Sequence, residues 1–363
     1  MLHKLHHNII GRVETWVHLH HTATYVLAGA GVVLASSITA AALLYRAPQP
    51  TQTPAAPQKV VTPPPINYYS PLTGEKVPDE GSVQRAVTGI MIENSPDARP
   101  QSGLKSAGVV FEAVAEGGIT RFLAIYQQSK PQLIGPVRSV RLYYVDWIAP
   151  FQASVAHIGG SKFALDEVRN GKYRDIDQFF NAGSYWRATD RYAPHNVYTS
   201  FERLDALNAK KGYATSTFTP WPRQDGSASK APNAISIDVK ISGPLYNSHY
   251  DYDAAANTYR RSEGGAPHND REGGLITPNV VIVMDTVMSK VFEDGYREQI
   301  TTIGSGKARI FQNGVVTEGT WAKKDRGSQI SFTGADGKEI PLNRGQTWIT
   351  AVPANQGGGV TWK

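Results

Sequence analysis

The chain has 363 residues, of which 40% are hydrophobic and 19% are charged, so it is long and apolar enough for about two domains with hydrophobic cores. It contains no cysteine, which excludes disulfides, thiolate metal sites, a cysteine nucleophile and a lipid-modified cysteine. The formal net charge of +6 is spread along the chain and is compatible with an anionic lipid or polymer without requiring either.

The N-terminal region predicts a single-pass membrane anchor. Residues 22–45 form an uncharged, apolar run that is long enough to cross a lipid bilayer as one helix. A cleaved signal peptide is the alternative, because residues 38–42 offer small side chains to a peptidase, although the apolar run exceeds the usual length. Residues 1–21 are expected to be a cytoplasmic tail with irregularly spaced histidines, and residues 46–66 a Pro-rich, extended linker. The bulk of the chain would then lie outside the cell membrane.

After the linker, the pattern predicts an α+β protein. Residues 67–215 alternate short apolar runs with helical segments at 162–170 and 200–212, which indicates a mixed α/β domain with a ligand-binding role. Residues 216–234 lose this periodicity and gain Ser, Pro and Gly, so a linker is expected there. Residues 235–363 contain alternating segments separated by Asn-Gly and Asp-Gly pairs, which predict a mainly β domain.

A polar loop follows the first apolar run of the predicted α/β domain. Glu93, Asn94 and Arg99 lie here, and Pro96 and Pro100 prevent a regular helix or strand. We interpret the loop as a stiff segment that presents polar groups to a ligand at a reduced ordering cost. The alternative is a crossover whose side chains cap the neighbouring backbone.

A β-hairpin is expected at 109–126, with a two-glycine loop at 117–118. If Glu116 pairs directly with the residue after the loop, Glu112 and Glu116 share one face and Arg121 lies within reach of both. Such a cluster could be a salt-bridge network. It could also supply a general acid and base, provided that burial separated the two carboxyl pKa values.

A second basic motif follows. Gly135-Pro136 can begin a helix, and Arg138 and Arg141 would then share one helical face. The amides of the helix N-terminus and two guanidinium groups would form an anion site. Alternatively, each arginine pairs with an internal carboxylate such as Glu93 or Glu116.

Two histidines and an asparagine complete the candidate ligand-binding residues. His157 ends an apolar run, and His195 and Asn196 lie in a loop; each histidine could be a general base, or simply a hydrogen-bonded loop residue. His268 and Asp270, in a Gly-rich loop, are weaker candidates. Nucleotide-binding, hydrolase and zinc motifs are missing, so no metal or cofactor is predicted, and nucleic acid is not an expected partner because there is no basic stripe.

The order of these motifs resembles the YerB-like bacterial lipoproteins, a family catalogued as a domain of unknown function. The resemblance extends over most of residues 68–353. It implies a two-domain protein tethered outside the membrane, but family members use a lipidated cysteine where this chain has an apolar helix. The matching segments are "SPLTGE", "IENSPDARPQSGL", "FEAVAEGGITRFLAIY", "IGPVRSVRLYYVDW", "HIGGS" and "APHNVYTS", followed by "GGAPHNDREGG" and "GQTWITAVP".

Three functions are compatible with the sequence. The first is a membrane-anchored, extracytoplasmic binding or scaffolding protein of the cell envelope that holds an anionic polymer, a glycan or another polar anionic ligand. The second is an envelope-polymer hydrolase with Glu112 or Glu116 as acid or base. The third is a protein-partner module in which the β-rich domain offers a sheet edge.

Overall fold

The structure, a computed structural model, describes residues 12–45, 66–290 and 297–363. The chain divides into two compact units, Met1–Pro64 and Pro65–Lys363. In the first unit, helix α1 (His21–Leu44) coincides with the predicted membrane span and is long and apolar enough to cross a bilayer. The predicted linker at 46–66 lies outside the described residues except for its last residue, and so does the first half of the predicted tail.

The second unit contains short helices at its periphery. Helix α5 has the boundaries that the sequence predicts, because the Ser200 hydroxyl accepts a hydrogen bond from the Arg203 amide at its start and Gly212 has a positive φ of 77° just after its end. The α-helices are α2 (Glu80–Val83), α3 (Leu142–Ile148), α4 (Lys162–Val168) and α5 (Phe201–Lys210), and short 3₁₀ helices occur at Pro96–Ala98, Leu104–Ser106, Ala149–Phe151, Ala182–Ser184 and Ala354–Gln356.

Most strands of the second unit belong to two sheets. In chain order they are β1 (Thr88–Glu93), β2 (Val109–Val114), β3 (Thr120–Tyr126), β4 (Ser154–Ala156), β5 (Arg174–Asp175), β6 (Ser236–Lys240), β7 (Ser248–Asp253), β8 (Thr258–Glu263), β9 (Ala266–Pro267), β10 (Val280–Thr286), β11 (Gly304–Gln312), β12 (Val315–Lys323), β13 (Ser331–Thr333), β14 (Thr347–Pro353) and β15 (Gly359–Trp362). Two-stranded pairs join Tyr68–Tyr69 to Lys76–Val77, Tyr185–Arg187 to Val197–Thr199, Arg223–Gln224 to Leu342–Asn343, Asn269–Asp270 to Gly274–Leu275, and Met288–Lys290 to Glu298–Ile300.

A mixed ten-stranded sheet runs through both halves of the second unit, in the order β13-β12-β11-β10-β14-β2-β3-β1-β4-β5. The halves meet where β14 pairs in parallel with β2, from Thr347 opposite Val109 to Thr350 opposite Glu112. A five-stranded antiparallel sheet, β9-β8-β7-β6-β15, forms the second layer. The predicted α+β class is therefore confirmed. The boundary at 216–234 stays a prediction, and the parts on either side of it share one sheet and a continuous core.

Helices and the smaller sheet cover opposite faces of the central strands. Helix α3 packs on one face, where Trp147 stacks on Phe111 with ring centroids 5.2 Å apart. On the other face, the side chain of Arg261 from β8 reaches Glu112 of β2. The central strands are consequently buried on both faces, which explains why β1, β2 and β3 are buried along their whole length.

The ion pair between Glu112 and Arg261 joins the two layers. Nη2 of Arg261 donates to both carboxylate oxygens of Glu112 at 3.1 Å, and the Trp348 indole donates to the same carboxylate at 2.9 Å. The guanidinium also lies 4.4 Å from the Trp348 ring and donates to the hydroxyl of Tyr250 at 2.8 Å. Neither charged side chain is exposed, so each depends on its partners to offset the cost of leaving water.

Removing one charge of this pair should destabilise the fold strongly. We expect Glu112→Gln to lower the free energy of unfolding by about 3–5 kcal/mol, because Arg261 would remain buried with incomplete neutralisation. Chemical denaturation monitored by tryptophan fluorescence measures this change. The matched control is Arg260→Ala, at an exposed position of β8 next to Arg261. The free energy of unfolding of this variant should stay within about 0.5 kcal/mol of that of the native protein. Equal stability of the two variants would contradict the proposed role of the pair.

Candidate functional site

The β2 side of the hairpin between β2 and β3 contains one more residue than the pairing expected from the sequence. The amide of Ile119 donates to the carbonyl of Glu116 at 3.0 Å, and the amide of Ala115 donates to the carbonyl of Ile119 at 2.7 Å. Gly117 and Gly118 have positive φ values of 61° and 78°, as a tight hairpin turn requires. Ala115 and Glu116 therefore both oppose Ile119, which makes Glu116 a bulged residue.

This bulge separates the two glutamates that were predicted to act together. The register places Arg121 opposite Ala113 and Phe122 opposite Glu112, so the side chains of Glu112 and Arg121 point to opposite faces of the sheet. The predicted cluster of Glu112, Arg121 and Glu116 is therefore wrong. Of these two glutamates, Arg121 pairs with Glu116, at 3.3 Å, and it also donates to the Ser139 carbonyl at 2.7 Å.

Glu116 is instead the centre of an arginine cluster. Besides Arg121, it contacts Nε of Arg141 and Nε of Arg297, the latter at 3.6 Å. Burial by itself would raise the pKa of the Glu116 carboxyl, but the hydrogen bond from Arg141 and the charges of all three arginines outweigh burial and lower this pKa. Burial and the charge of Arg141 lower the pKa of the Arg121 guanidinium, which indicates that positive charge is crowded at this position.

Arg138 and Arg141 reach their positions from an extended segment, and the predicted helix beginning at 135–136 is wrong. The amide of Arg138 donates to the Met91 carbonyl at 2.9 Å, and that of Val137 to the Val197 carbonyl at 2.7 Å. Because these amides bond to neighbouring segments, the backbone cannot form helical hydrogen bonds there. Helix α3 begins only after Arg141, which is its N-cap residue.

Two members of the arginine cluster line a cavity of about 430 Å³, called here the arginine cavity. This volume falls in the range of about 300–1,000 Å³ that is typical of small-molecule sites. The walls come from both halves of the second unit and combine charged, hydroxyl and apolar groups. They include Arg141, Tyr143, Phe163, Arg297, Glu298 and Ile300.

Glu93 forms a second polar centre with His195 and Arg138, and it is buried rather than displayed. Its Oε1 atom lies 2.9 Å from Nδ1 of His195 and 3.2 Å from Nε of Arg138, and accepts a hydrogen bond from the Ser95 hydroxyl at 3.0 Å. Ser95 Oγ and His195 Nδ1 are 3.1 Å apart. His195 therefore contacts both Glu93, the last residue of β1, and Ser95 in the polar loop, and so it holds the loop against β1.

Asn94 and Arg99, the other candidates in the polar loop, also turn inward. Asn94 is completely buried and donates to Glu263 at 2.7 Å and to Thr120 at 2.6 Å. Its side-chain oxygen accepts hydrogen bonds from Arg99 at 3.0 Å and from Gln101 at 2.8 Å. The side-chain nitrogen and oxygen of Asn94 are therefore both used in hydrogen bonds to other side chains of the protein.

The polar loop connects through these contacts to the Glu112–Arg261 ion pair. Burial raises the pKa of the Glu263 carboxyl to about 7, with the negative charge of Glu112 adding to this effect and Arg261 opposing it. His268 accepts from Nε of Arg261 at 2.8 Å through Nδ1, and its Nε2 lies 3.1 Å from the Gln101 side-chain oxygen. Burial and the charge of Arg261 lower the pKa of His268 well below its usual value. Both ring nitrogens of His268 are therefore engaged within the network.

The remaining candidates close loops elsewhere in the fold. His157 is buried, with Nδ1 2.8 Å from the Gly159 carbonyl and Nε2 3.0 Å from Asp175. Asn196 accepts from Arg187 at 2.7 Å and donates to the Ala188 carbonyl at 3.1 Å. Within residues 12–45, 66–290 and 297–363, no group of three His, Asp or Glu side chains could hold a metal ion.

Sequence inspection missed several central residues. Arg261 and Glu263 had a usable signal, because they alternate with exposed residues along β8 on the side of the buried Tyr259, as the period of a strand requires. Arg297 had none, since its contact with Glu116 joins positions far apart in the chain.

The fold and the cavity define an α+β protein in which two halves of one unit enclose a ligand-sized site. Comparison with known proteins agrees with this organisation. The family model described as the N-terminal domain of the protein of unknown function DUF3048 matches residues 72–214, and that of its C-terminal domain matches residues 237–349.

A curated relative and a solved structure are similar over most of the chain. The relative, "Putative lipoprotein YerB" of Bacillus subtilis (strain 168), is 35% identical over 289 residues, which cover 78% of this chain and 86% of the relative. The crystal structure of the YerB protein from Bacillus subtilis has a TM-score of 0.73 and 32% identity, and the match covers 81% of this chain and 99% of that chain. The chain belongs to this YerB-like DUF3048 family, as its motifs indicate.

The raised pKa of Glu263 predicts a pH dependence of stability. Between pH 4.5 and about 7 the folded protein holds a proton on Glu263 that the unfolded chain has released, so this group's contribution to stability is complete below pH 4.5 and is lost as the pH rises through about 7. We expect the free energy of unfolding of the native protein, measured relative to Glu263→Gln, to decrease over that interval. Chemical denaturation of both proteins across the pH range measures the difference, and an increase with pH would contradict the assignment.

Proposed function

We propose that the protein is a membrane-associated, extracytoplasmic binding protein that holds an anionic ligand in the arginine cavity. Two features support its location, namely the apolar helix α1 and the similarity to a protein named as a lipoprotein. The observation that carries the ligand assignment is the convergence of Arg121, Arg141 and Arg297 on the single carboxylate of Glu116.

The charges around the cavity favour an anion. Arg121 and Arg141 both pair with the single carboxylate of Glu116, so these two guanidinium groups carry more positive charge than this carboxylate neutralises. A further carboxyl group at the wall, Glu298, has its pKa raised by burial and by Glu116, with Lys290 opposing the shift, so its negative charge is disfavoured. Arg326 does not add to the excess, since it pairs with Asp146 at 2.5 Å and with Glu167 at 2.7 Å.

The shape and chemistry of the cavity restrict the ligand further. A guanidinium group can bind a carboxylate or a phosphate through two parallel hydrogen bonds, and Arg141 and Arg297 both lie at the wall. Phe163 and Ile300 add apolar surface to the same wall. The cavity would therefore accept a small amphipathic anion or the anionic end of an envelope polymer or glycan, rather than a long segment of it.

The hydrolase alternative receives less support from the geometry. Glu112 is completely buried and is held by Arg261 and Trp348, so it has no path for exchanging protons with a substrate. Glu116 is surrounded by arginines that lower its pKa, which favours a permanent anion over a proton donor. The partner-module alternative stays a prediction, with the edge strand β15 as the segment that a partner strand would extend.

Two substitutions should change anion affinity in opposite directions. Arg141→Gln removes a guanidinium group at the wall, and we expect it to weaken binding about 10- to 100-fold, the usual effect of losing a charge-assisted hydrogen bond of about 1.5–3 kcal/mol. Glu116→Gln removes the carboxylate that competes for the same arginines, and we expect it to strengthen binding. Calorimetric titration of the full chain in detergent, with acetate, inorganic phosphate and soluble muropeptides as probes, measures both effects.

The control for this experiment is Arg260→Gln, which changes the same net charge at an exposed position of β8. Its affinity for each probe should equal that of the native protein. Weaker anion binding by Glu116→Gln, or a loss of affinity in the control as large as in Arg141→Gln, would contradict the assignment of the cavity. Failure of all three probes to bind would contradict the proposed function.

A further inference from the structure

Two adjacent phenylalanines lie on the surface of the second unit. The side chains of Phe179 and Phe180 are 66% and 72% exposed. The backbone that carries them is held in place, because the buried carboxylate of Asp177 accepts hydrogen bonds from the amides of Phe179 and Gly159 at 3.2 Å each. Asp177 also binds Arg169 at 2.5 Å. The exposure of the two rings is therefore a property of a well-bonded turn and calls for a functional explanation.

Basic side chains surround the two rings. The Arg169 guanidinium lies 4.9 Å from the Phe180 ring, and Phe180, Arg169 and Lys211 line one shallow depression of about 310 Å³. Lys172 lies between two other lining residues and Lys210 precedes Lys211, and both lysines are exposed as well. The Phe–Lys patch is defined by the six residues Phe179, Phe180, Arg169, Lys172, Lys210 and Lys211.

The acidic residues nearest to this patch are engaged by other groups. Asp175 lies 3.0 Å from Nε2 of His157, and Asp177 has no exposed surface. Glu167 pairs with Arg326 at 2.7 Å and accepts a hydrogen bond from Tyr173 at 2.9 Å. The outward charge of the patch is therefore positive.

We propose that the Phe–Lys patch docks on the surface of an anionic lipid bilayer. Aromatic rings partition into the headgroup region of a bilayer, and flanking lysines gain from its negative surface potential. Helix α1 is a candidate membrane span, so it would tether the second unit to a bilayer. Tethering raises the effective concentration of the patch at the lipid surface. This surface is separate from the arginine cavity, so docking and anion binding can be tested independently.

The absence of cysteine from the chain permits a site-specific test in the full-length protein. A nitroxide-sensitive fluorophore on Ala182→Cys, an exposed position just beyond the rings, reports proximity to spin-labelled lipid in nanodiscs. We expect quenching in phosphatidylglycerol discs, weaker quenching in phosphatidylcholine discs, and a decrease with added salt. The same fluorophore on Lys338→Cys, at an exposed turn far along the chain, is the position control and should be quenched less.

Substitutions in the patch should release the fluorophore from the lipid. Phe179→Ser with Phe180→Ser should abolish the difference between the two kinds of disc, while Lys172→Gln and Lys211→Gln should each lower the ratio of docked to undocked protein about five-fold. The matched control is Tyr192→Ser, another exposed aromatic residue, with 91% of its surface accessible. Unquenched fluorescence in the native background, quenching that survives the double phenylalanine substitution, or an equal loss in Tyr192→Ser would overturn the proposal. In those cases a protein partner would be the better explanation of the patch.

Discussion

The buried ion pair between Glu112 and Arg261 is the constraint on which the arrangement of this protein depends. Its two charges come from different halves of the second unit and have no access to water, so neither half can bury its charge without the other. The same guanidinium binds Tyr250 and His268, and from there hydrogen bonds continue through Gln101 into the polar loop. The ion pair that joins the two sheets is thus linked through hydrogen bonds to the polar loop that follows β1.

One inserted residue gives two glutamates of the same hairpin different roles. Glu112 faces the five-stranded sheet and is neutralised by Arg261, whereas the bulged Glu116 joins Arg121 on the helix-covered side. Glu116 is contacted by three arginines, and two of them, Arg141 and Arg297, line the arginine cavity. The bulge therefore places Glu112 in the buried ion pair that joins the two sheets and Glu116 in the arginine cluster on the opposite face.

Predictions from local pattern succeeded where one segment determines its own structure. Helix α5 has its expected cap at Ser200 and its expected end near Gly212, and α1 follows the apolar run. Two of the expectations that failed depended on distant partners. The segment around Arg138 is extended because its amides bond to Met91 and other segments. The hairpin register is shifted by a bulge that the Gly-Gly sequence does not predict. The arginine cavity needed Arg297, for which the sequence contains no local signal.

The amino-acid sequence by itself determined the apolar span, the α+β class, the family and the residue types of the candidate site, because propensity, periodicity and motif order are properties of short segments. Only the tertiary structure decided which carboxylate meets which guanidinium group, since ion pairing depends on the strand register and on contacts between residues more than a hundred positions apart. Those pairings distinguish the fully buried charges of Glu112 and Arg261 from the partly exposed charges of Glu116 and Arg141. The free energy of each charged side chain depends on its burial and on its partners in the folded protein, and not on its local sequence.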